Sequence, residues 1–211
     1  MPGPRTEDPL LRGVTDDLRL AHLLADYADS ITIIRFRPDG SVGLLSIPRD
    51  LVAPGVDGQG PERINSALSG GPQAMIDAVV RSTGIPVDHI ISLDFDGFMA
   101  IIDQLGGLRI GVVSHLRDPM VGIDLEPTPC TTLDADDALA LVRSRYTQQL
   151  LADGSWSAPD PTGNLGRIAR AQVISQALLA QLAASSPDLP DLNRYSQILA
   201  DHATLDDGLT L

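Results

Sequence analysis

Residues 31–46 read Ile31-Thr-Ile-Ile-Arg-Phe36, Arg37-Pro38-Asp39-Gly40 and Ser41-Val-Gly-Leu-Leu-Ser46, and this stretch decides the fold. Its two flanks are rich in β-branched and other apolar residues, which favours strands. The Pro-Asp-Gly between them is typical of a turn, because proline presets φ and glycine tolerates positive φ. The sequence therefore predicts a β-hairpin whose second strand ends before Pro48, followed by a loop over residues 51–62.

Helical and strand patterns alternate on the C-terminal side of this hairpin. Apolar residues at helical spacing and flanking glycines mark the helices, and short apolar runs mark the strands. This alternation predicts an α/β protein whose mixed or mostly parallel sheet is covered by helices on both faces. The predicted helices cover residues 72–84, 98–105, 135–143 and 165–184, and the predicted strands cover residues 90–93 and 108–113.

Two of the predicted helices carry informative ends and faces. Asp134 is expected to cap the helix at residues 135–143, with Asp137 at the third helical position. The helix at residues 165–184 is expected to bury one apolar stripe, with arginines beside it. The stripe is Ile168, Ala171, Ile174, Leu178 and Leu182, and the arginines are Arg167 and Arg170.

The charge balance excludes several classes of function. The 211 residues include 28 acidic and 15 basic ones, for a net charge of -13, and every basic residue is arginine. Without lysine, a Walker A loop, Schiff-base catalysis and kinase-type nucleotide binding are excluded. An anionic surface also argues against nucleic acid as a partner. The single cysteine, Cys130, cannot form an intramolecular disulfide, and the histidines show no zinc-site spacing.

Pairs of arginines fall at predicted loop mouths and helix ends. A guanidinium group stays ionised when partly desolvated and binds phosphate oxygens through two donors at once. A helix N-terminus near Leu165 adds backbone donors for an anion. Taken singly, each pair is better explained as an ordinary surface salt bridge or a helix-end charge. The arginines in question are Arg49, Arg143, Arg145, Arg167 and Arg170.

Two aspartates flank the hairpin. Asp29 precedes the first strand and Asp50 follows the second, so a hairpin in register brings them to the same edge. Two carboxylates with substrate phosphate oxygens and water are a typical magnesium environment. In the simpler interpretation, Asp29 is a turn residue and Asp50 pairs with Arg49.

Ten motifs occur along the chain in the same order as in the LytR-CpsA-Psr (LCP) family. The chain resembles this family over roughly residues 28–184. An ordered chain of so many motifs is far more specific than any one of them. The motifs are Ala28-Asp29-Ser30, Leu45-Ser46-Ile47-Pro48-Arg49-Asp50, Arg63-Ile64-Asn65-Ser66-Ala67, Gly70-Gly71-Pro72, Gly84-Ile85-Pro86-Val87-Asp88-His89, Asp94-Phe95-Asp96-Gly97-Phe98, Leu105-Gly106-Gly107, Leu133 with Ala138-Leu139-Ala140, Val142-Arg143-Ser144-Arg145 and Gly166-Arg167-Ile168-Ala169-Arg170-Ala171-Gln172.

The resemblance implies a three-layer α/β/α sandwich with a mixed central sheet and an apolar lipid pocket. It implies an extracytoplasmic phosphotransferase that moves a glycopolymer or its linkage unit from a polyprenyl-pyrophosphate carrier to peptidoglycan, and it leaves a pyrophosphatase side activity open. Such a domain meets the membrane surface through its lipid substrate and is usually part of a membrane-anchored protein. The expected divisions are an atypical lead-in at residues 1–27, the LCP domain at 28–186, and a tail or short helix at 187–211.

The resemblance also assigns site residues. Asp29 and Asp50 match magnesium-associated aspartates, and Arg49, Arg143, Arg145 and Arg170 match catalytic positions. The pyrophosphate-binding set is Arg49, Arg63, Arg143, Arg145, Arg167, Arg170 and Gln172. The residues that could line the lipid pocket are Met75, Val79, Phe98, Ile101, Ile102, Ile174 and Leu178. Taken singly, each is better explained as an ordinary core position, because apolar helical stripes normally pack against the sheet.

The chain departs from the family pattern at several positions. Asn164 stands where the family has aspartate, Ala171 replaces the first of two glutamines, and Tyr146 replaces a histidine. Residues 10–19 are a blurred version of the usual first strand, with Arg12 at an apolar position. Two alternatives to the transferase therefore stand: a weak or inactive LCP-like protein that binds polyprenyl-phosphate-linked wall precursors, and an unrelated α/β interaction domain.

Overall fold

The computed structural model describes residues 28–53, 60–206 and 208. The lead-in predicted at residues 1–27, with its blurred strand at residues 10–19, lies outside the described residues. The hairpin is present: β1 (Ile31–Phe36) and β2 (Val42–Ile47) pair antiparallel. Gly40 takes the positive φ that the turn requires, and the prediction of the hairpin is confirmed.

The predicted loop at residues 51–62 differs from the structure at its two ends. β3 (Val52–Ala53) and β4 (Glu62–Arg63) pair antiparallel, with Val52 opposite Arg63. The chain returns on itself because the backbone N–H of Ile64 donates to the Leu51 carbonyl at 2.8 Å. Residues 54–59, within the predicted loop, lie outside the described residues.

Helical structure follows β4 directly. A 3₁₀ helix (Ile64–Gly70) leads into α1 (Pro72–Thr83), which ends as predicted at Gly84 in the left-handed conformation. After β5 (Ile91–Leu93) comes α2 (Phe95–Gln104). Helix α2 begins three residues earlier than predicted, because the side chain of Asp94 caps it by accepting from the Gly97 N–H at 2.7 Å.

The middle of the chain is richer in strands than predicted. β6 (Leu108–Val112) pairs with β9 (Thr128–Leu133). Between them, β7 (Leu116–Asp118) and β8 (Ile123–Leu125) form a hairpin that β10 (Gln148–Gln149) joins on the β7 side. The α/β class is confirmed, but every strand pair among the described residues is antiparallel. Each strand pairs with its neighbour in a hairpin or with an antiparallel strand from further along the chain, and none pairs through a parallel helical crossover among the described residues.

The C-terminal half is mainly helical. α3 (Ala135–Arg143) begins at its predicted cap, where Asp134 accepts from the Asp137 N–H at 2.8 Å. α4 (Asn164–Ala184) is the predicted long helix, and α5 (Leu189–His202) leads into β11 (Ala203–Leu205), which pairs with β5. The sequence did not predict β11. Within the described part of the chain, no helix combines the length and apolar composition needed to cross a membrane.

The apolar core forms two clusters. One lies between β6, β9 and helices α2, α3 and α4, and the other lies between the hairpin and α1. Helix α4 presents Arg167, Ala171 and Ile174 as its buried face, so Arg167 takes the place that the sequence assigned to Ile168. This prediction was wrong because polar neighbours, described below, satisfy a buried guanidinium at that end of the helix.

Candidate active site

The hairpin brings two predicted site residues into contact. Because Ile31 pairs with Ile47, the segments just outside β1 and β2 meet at one edge of the hairpin. There, Arg49 Nη1 donates to Asp29 Oδ1 at 2.5 Å. Asp29 and Asp50 are 44% and 39% exposed, so their carboxylates remain open to a ligand.

Asp50 is contacted by three side chains from separate segments. Arg63 Nη1 donates to its Oδ1 at 3.3 Å, and Asn164 Nδ2 donates to its Oδ2 at 3.0 Å. Arg49 Nε lies 3.9 Å from the same Oδ2, which makes an ion pair too long for a hydrogen bond. Asp50 therefore joins the end of the hairpin to the start of α4.

Arg167 is the buried cation of the site. Only 5% of its surface is exposed, and its Nε donates to Asn164 Oδ1 at 3.0 Å. Burial lowers the pKa of Arg167, the charges of Arg49 and Arg145 lower it further, and Asp29 and Asp50 partly offset this. Arginine stays protonated at neutral pH under such a shift. Arg167 therefore feels the charges of two other arginines and of two carboxylates.

Arg170 belongs to a different set of contacts, one helical turn further along α4. Its Nη1 donates to Thr147 Oγ1 and Asp160 Oδ2, both at 3.0 Å, and its Nη2 donates to the Ser144 carbonyl at 2.8 Å. Burial raises the pKa of Asp160, but hydrogen bonds from Thr162 and Arg170 outweigh burial and lower it. Arg170 thus links α4 to the segments on both sides of Thr147.

The remaining predicted head-group residues, Arg143 and Gln172, make fewer polar contacts. Arg143 is exposed and lies over the Phe95 ring, with Cζ 5.4 Å from its centroid. Gln172 is half-buried on α4, and its side chain makes no hydrogen bond within the described residues. Among the residues described, neither makes a hydrogen bond or ion pair with the Asp50 cluster, which consists of Arg49, Asp50, Arg63, Asn164 and Arg167.

A side chain that the sequence did not single out lies beneath the Arg145 segment. Asp118, at the end of β7, is fully buried and accepts hydrogen bonds from Ser144, Arg145 and Tyr146. No local pattern in the sequence identifies this role, because the three partners in the 144–146 segment lie more than twenty residues away along the chain.

The seven predicted lipid-pocket residues do not line one cavity. Met75 and Val79 belong to the cluster under the hairpin, whereas Phe98, Ile102, Ile174 and Leu178 belong to the other cluster, and Ile101 is half-buried on α2. A cavity of about 320 Å³ opens between β6, β8, α3 and α4. Its walls are mainly apolar, with Arg170 among them; they include Ile110, Val112, Leu125, Leu141 and Val173.

Asp29 and Asp50 form a donor set that suits Mg2+. The described residues contain no cluster of three or more histidine, cysteine or acidic side chains that could hold a metal by themselves. Mg2+ in phosphate-binding sites commonly takes one or two carboxylates, with substrate oxygens and water completing its shell. Both oxygens of Asp50 already accept hydrogen bonds, from Arg63 and Asn164, so a metal would share or displace these donors.

Known proteins resemble this chain in both sequence and structure. A model of the LytR_cpsA_psr family matches residues 10–204. The chain belongs to this family. The solved structure of the "LytR-Csp2A-Psr enzyme from Actinomyces oris" is similar, with a TM-score of 0.72 and 31% identity, over 87% of this chain and 67% of that one. The predicted LCP fold is confirmed.

Relatives in the LytR_cpsA_psr family are named for cell-wall synthesis. The chain is 30% identical over 160 residues to "Probable cell wall biosynthesis protein LcpB" of Corynebacterium glutamicum, covering 75% of this chain and 34% of that protein. It is 32% identical over 168 residues to the "Polyisoprenyl-teichoic acid--peptidoglycan teichoic acid transferase TagU" of Halalkalibacterium halodurans, covering 77% and 49%. The chain therefore spans half or less of the length of these two relatives.

Proposed function

We propose that this chain is a phosphotransferase that moves a glycopolymer, or its linkage unit, from a polyprenyl-pyrophosphate carrier to peptidoglycan at the extracytoplasmic face of the membrane. The observation that carries the proposal is the junction of two environments on α4. One turn of this helix carries Arg167 in the charged Asp50 cluster, and the next carries Arg170 in the wall of an apolar cavity. A lipid pyrophosphate needs these two environments side by side.

The arginines are suited to holding the pyrophosphate. The charges of Arg49 and Arg145 both act on Arg167, and this repulsion is relieved when an anion binds beside Arg167. Arg49 Nε is buried without a hydrogen-bond partner among the described residues, so it is a donor left unused in the absence of a ligand. A phosphate oxygen would satisfy it.

The proposed reaction is a displacement at phosphorus. A hydroxyl of the peptidoglycan acceptor attacks the phosphorus attached to the glycan, and a new O–P bond forms. The bridging P–O bond breaks, its electron pair stays on the departing polyprenyl phosphate, and the hydroxyl proton is released to solvent. Because phosphoryl transfer depends on positioning and on neutralising charge, Arg49, Arg145 and Arg167 act by orienting the phosphates and stabilising the leaving group.

Magnesium is part of the proposal. Asp29 and Asp50 would hold the ion, which when bound neutralises phosphate charge. In the protein alone, Arg49 and Asn164 take the place of cation and water by contacting these carboxylates. They keep the two acidic side chains in position before the ligand arrives.

The cavity between β6, β8, α3 and α4 is the proposed entrance for the lipid tail. Its volume of about 320 Å³ lies at the lower end of the range for small-molecule pockets, so it accommodates the first part of a polyprenyl chain. Val113 and Val173 line it and are 98% and 52% exposed, so its mouth offers apolar contacts at the surface. The remaining chain would stay in the bilayer.

The test is turnover of a polyprenyl-pyrophosphate glycan by the purified chain with Mg2+. Arg49→Ala and Arg145→Ala should each reduce the rate by about a hundredfold or more, as removal of a donor to developing charge does in other enzymes. Arg109→Ala is the matched control. Arg109 is exposed on β6, and its N–H contacts Gln181, about four turns along α4 from Arg167. Unchanged turnover in both site variants would exclude the assignment.

A second candidate function is supported by Asn164. At position 164 the family pattern has an aspartate, whereas here the amide of Asn164 donates to Asp50 Oδ2. The loss of this carboxylate favours a protein that binds the lipid-linked precursor without efficient turnover. Saturable binding of polyprenyl phosphate with no product would indicate this function. Robust turnover by the unaltered chain would eliminate it.

A further inference from the structure

Asp118 is a buried carboxylate surrounded by hydrogen-bond donors. Its side chain has no exposed surface, and its Oδ1 accepts from the Met120 N–H at 3.0 Å. Its Oδ2 accepts from Ser144 Oγ at 2.6 Å, the Tyr146 N–H at 2.9 Å and the Arg145 N–H at 3.2 Å. A buried charge is tolerated only when such donors replace water.

The three donors to Oδ2 all belong to one turn, residues 144–146. This turn directs the chain away from the end of α3, because Ser144 has left the helical conformation with φ -56 and ψ 135. Backbone N–H groups that converge on one oxygen form an anion-binding concavity. The carboxylate of Asp118 therefore fixes the backbone direction of the turn, not merely one side chain.

The same turn serves the proposed head-group site in two ways. It carries Arg145, whose charge acts on Arg167, and its Ser144 carbonyl accepts from Arg170 Nη2 at 2.8 Å. A shift of the turn would move the Arg145 guanidinium and remove an acceptor from Arg170 together. Asp118 is the one buried side chain in the described structure that accepts hydrogen bonds from all three residues of this turn.

The hydrogen bonds also keep the carboxylate ionised. Burial raises the pKa of Asp118, but the bonds from Ser144, Tyr146, Met120 and Arg145 together outweigh burial and lower it. At neutral pH the group is an acceptor only, so it orders three donors without competing as a donor itself.

We propose that Asp118 is a positioning residue that holds the Arg145 turn in the geometry required for pyrophosphate binding. This inference rests on the proposed function, because it concerns the arginines of that site. Asp118 contacts no substrate in this arrangement. It acts through the backbone of residues 144–146.

A purely structural role for Asp118 is the alternative, and a matched control separates the two. Asp134 also stabilises α3 through one carboxylate, but at the opposite end of the helix, where it accepts from the Asp137 N–H. Asp134→Ala removes a capping carboxylate, and Asp118→Asn weakens the hydrogen bonding of a buried one. Only the second alters the turn that carries Arg145.

The experiment measures binding of inorganic pyrophosphate with Mg2+ by calorimetry, together with thermal unfolding. Asp118→Asn should weaken binding by about tenfold or more, the loss expected when one charge-assisted contact is misplaced. Asp134→Ala should lower the unfolding temperature, because it removes the helix cap, and leave the dissociation constant unchanged. Ser144→Ala, which removes only the 2.6 Å bond, should give a smaller loss in a protein that still folds, and covers the case in which Asp118→Asn does not fold.

The outcomes are distinguishable. Failure of the unaltered protein to bind pyrophosphate would remove the proposed function and this inference with it. Binding by the unaltered protein, with an equal dissociation constant in folded Asp118→Asn or in Ser144→Ala, would overturn the positioning role alone. An equal loss in Asp134→Ala would show that general stability of α3, rather than the Arg145 turn, controls binding, and would also overturn it.

Discussion

The side chain of Asn164 bridges Asp50 and Arg167. Its Nδ2 donates to Asp50 Oδ2 and its Oδ1 accepts from Arg167 Nε, both at 3.0 Å. An amide makes both bonds because it has a donor and an acceptor, whereas an ionised carboxylate only accepts. Asn164 thus connects a negative and a positive group while adding no charge to the site.

Asn164→Asp should raise the affinity for Mg2+ by roughly tenfold, because it adds a carboxylate beside Asp50. Without the metal, the variant should be less stable by about 1 kcal/mol, since the bond to Asp50 becomes a repulsion. Thermal unfolding over a series of Mg2+ concentrations measures both effects. Asn164→Ala is the control, with lower stability and no gain in affinity, and equal Mg2+ dependence in the three proteins would contradict the assignment.

Arg170→Lys should destabilise the protein by about 2 kcal/mol, although it keeps the charge. One ammonium group cannot reproduce the geometry by which two guanidinium nitrogens reach Thr147, Asp160 and the Ser144 carbonyl. Urea unfolding provides the measurement. The exposed Arg109→Lys should change stability by less than about 0.5 kcal/mol, and similar behaviour of the two variants would show that the Arg170 contacts contribute little.

Gly166→Ala should lower stability even though alanine favours helices by about 1 kcal/mol over glycine. A Cβ at this position would overlap Asp160 Oδ2 and approach Thr162 Oγ1 within 2.6 Å, so the Asp160 carboxylate that binds Arg170 must move. Chemical denaturation of the variant and of the parent tests this. A more stable variant would mean that the residue 160 segment adjusts freely.

Acid should weaken the pairing of β11 with β5. Asp206 accepts from the Ile90 N–H at 2.8 Å and contacts His89, and these contacts, led by the Ile90 bond, lower the pKa of Asp206. Its contribution to stability is therefore complete above the unfolded-state value near 4 and is lost as pH falls through the lower folded-state value. The difference in unfolding temperature between the parent and Asp206→Asn should be fully present at about pH 5, where Asp206 is ionised.

Below about pH 4 the same difference should shrink, because both proteins then carry an uncharged group at position 206. Thermal scans of the two proteins at several pH values give the comparison. A difference that grows on acidification would have the wrong sign for a depressed aspartate.

Local signals accounted for much of the fold. The Pro38-Asp39-Gly40 turn, the Asp134 cap and the Gly84 helix end act within a few residues, and each lies where the sequence placed it. The strands between residues 116 and 133 went unrecognised because two of them have only three residues each, too few to show an alternating pattern.

The site was predictable only in part, for a related reason. The arginine positions could be read from motifs, but the bridge from Asn164 to Asp50 and the burial of Arg167 depend on contacts between segments far apart in the chain. Helical periodicity predicted that Ile168 would be the buried residue in the first turns of α4, because this method considers only which residues are apolar. Periodicity does not take into account that a hydrogen-bond partner can offset the cost of burying an arginine.

The pairing of β11 with β5 has a consequence for synthesis of the protein. Leu93 faces Ala203, and β11 is the only partner of β5 among the described strands. On the ribosome, β5 emerges about a hundred residues before β11, so β5 stays without this partner until residues 203–205 have been made. We expect the domain to become protease-resistant only after residue 205 has left the exit tunnel, with long-range strand pairing as its final and slowest step.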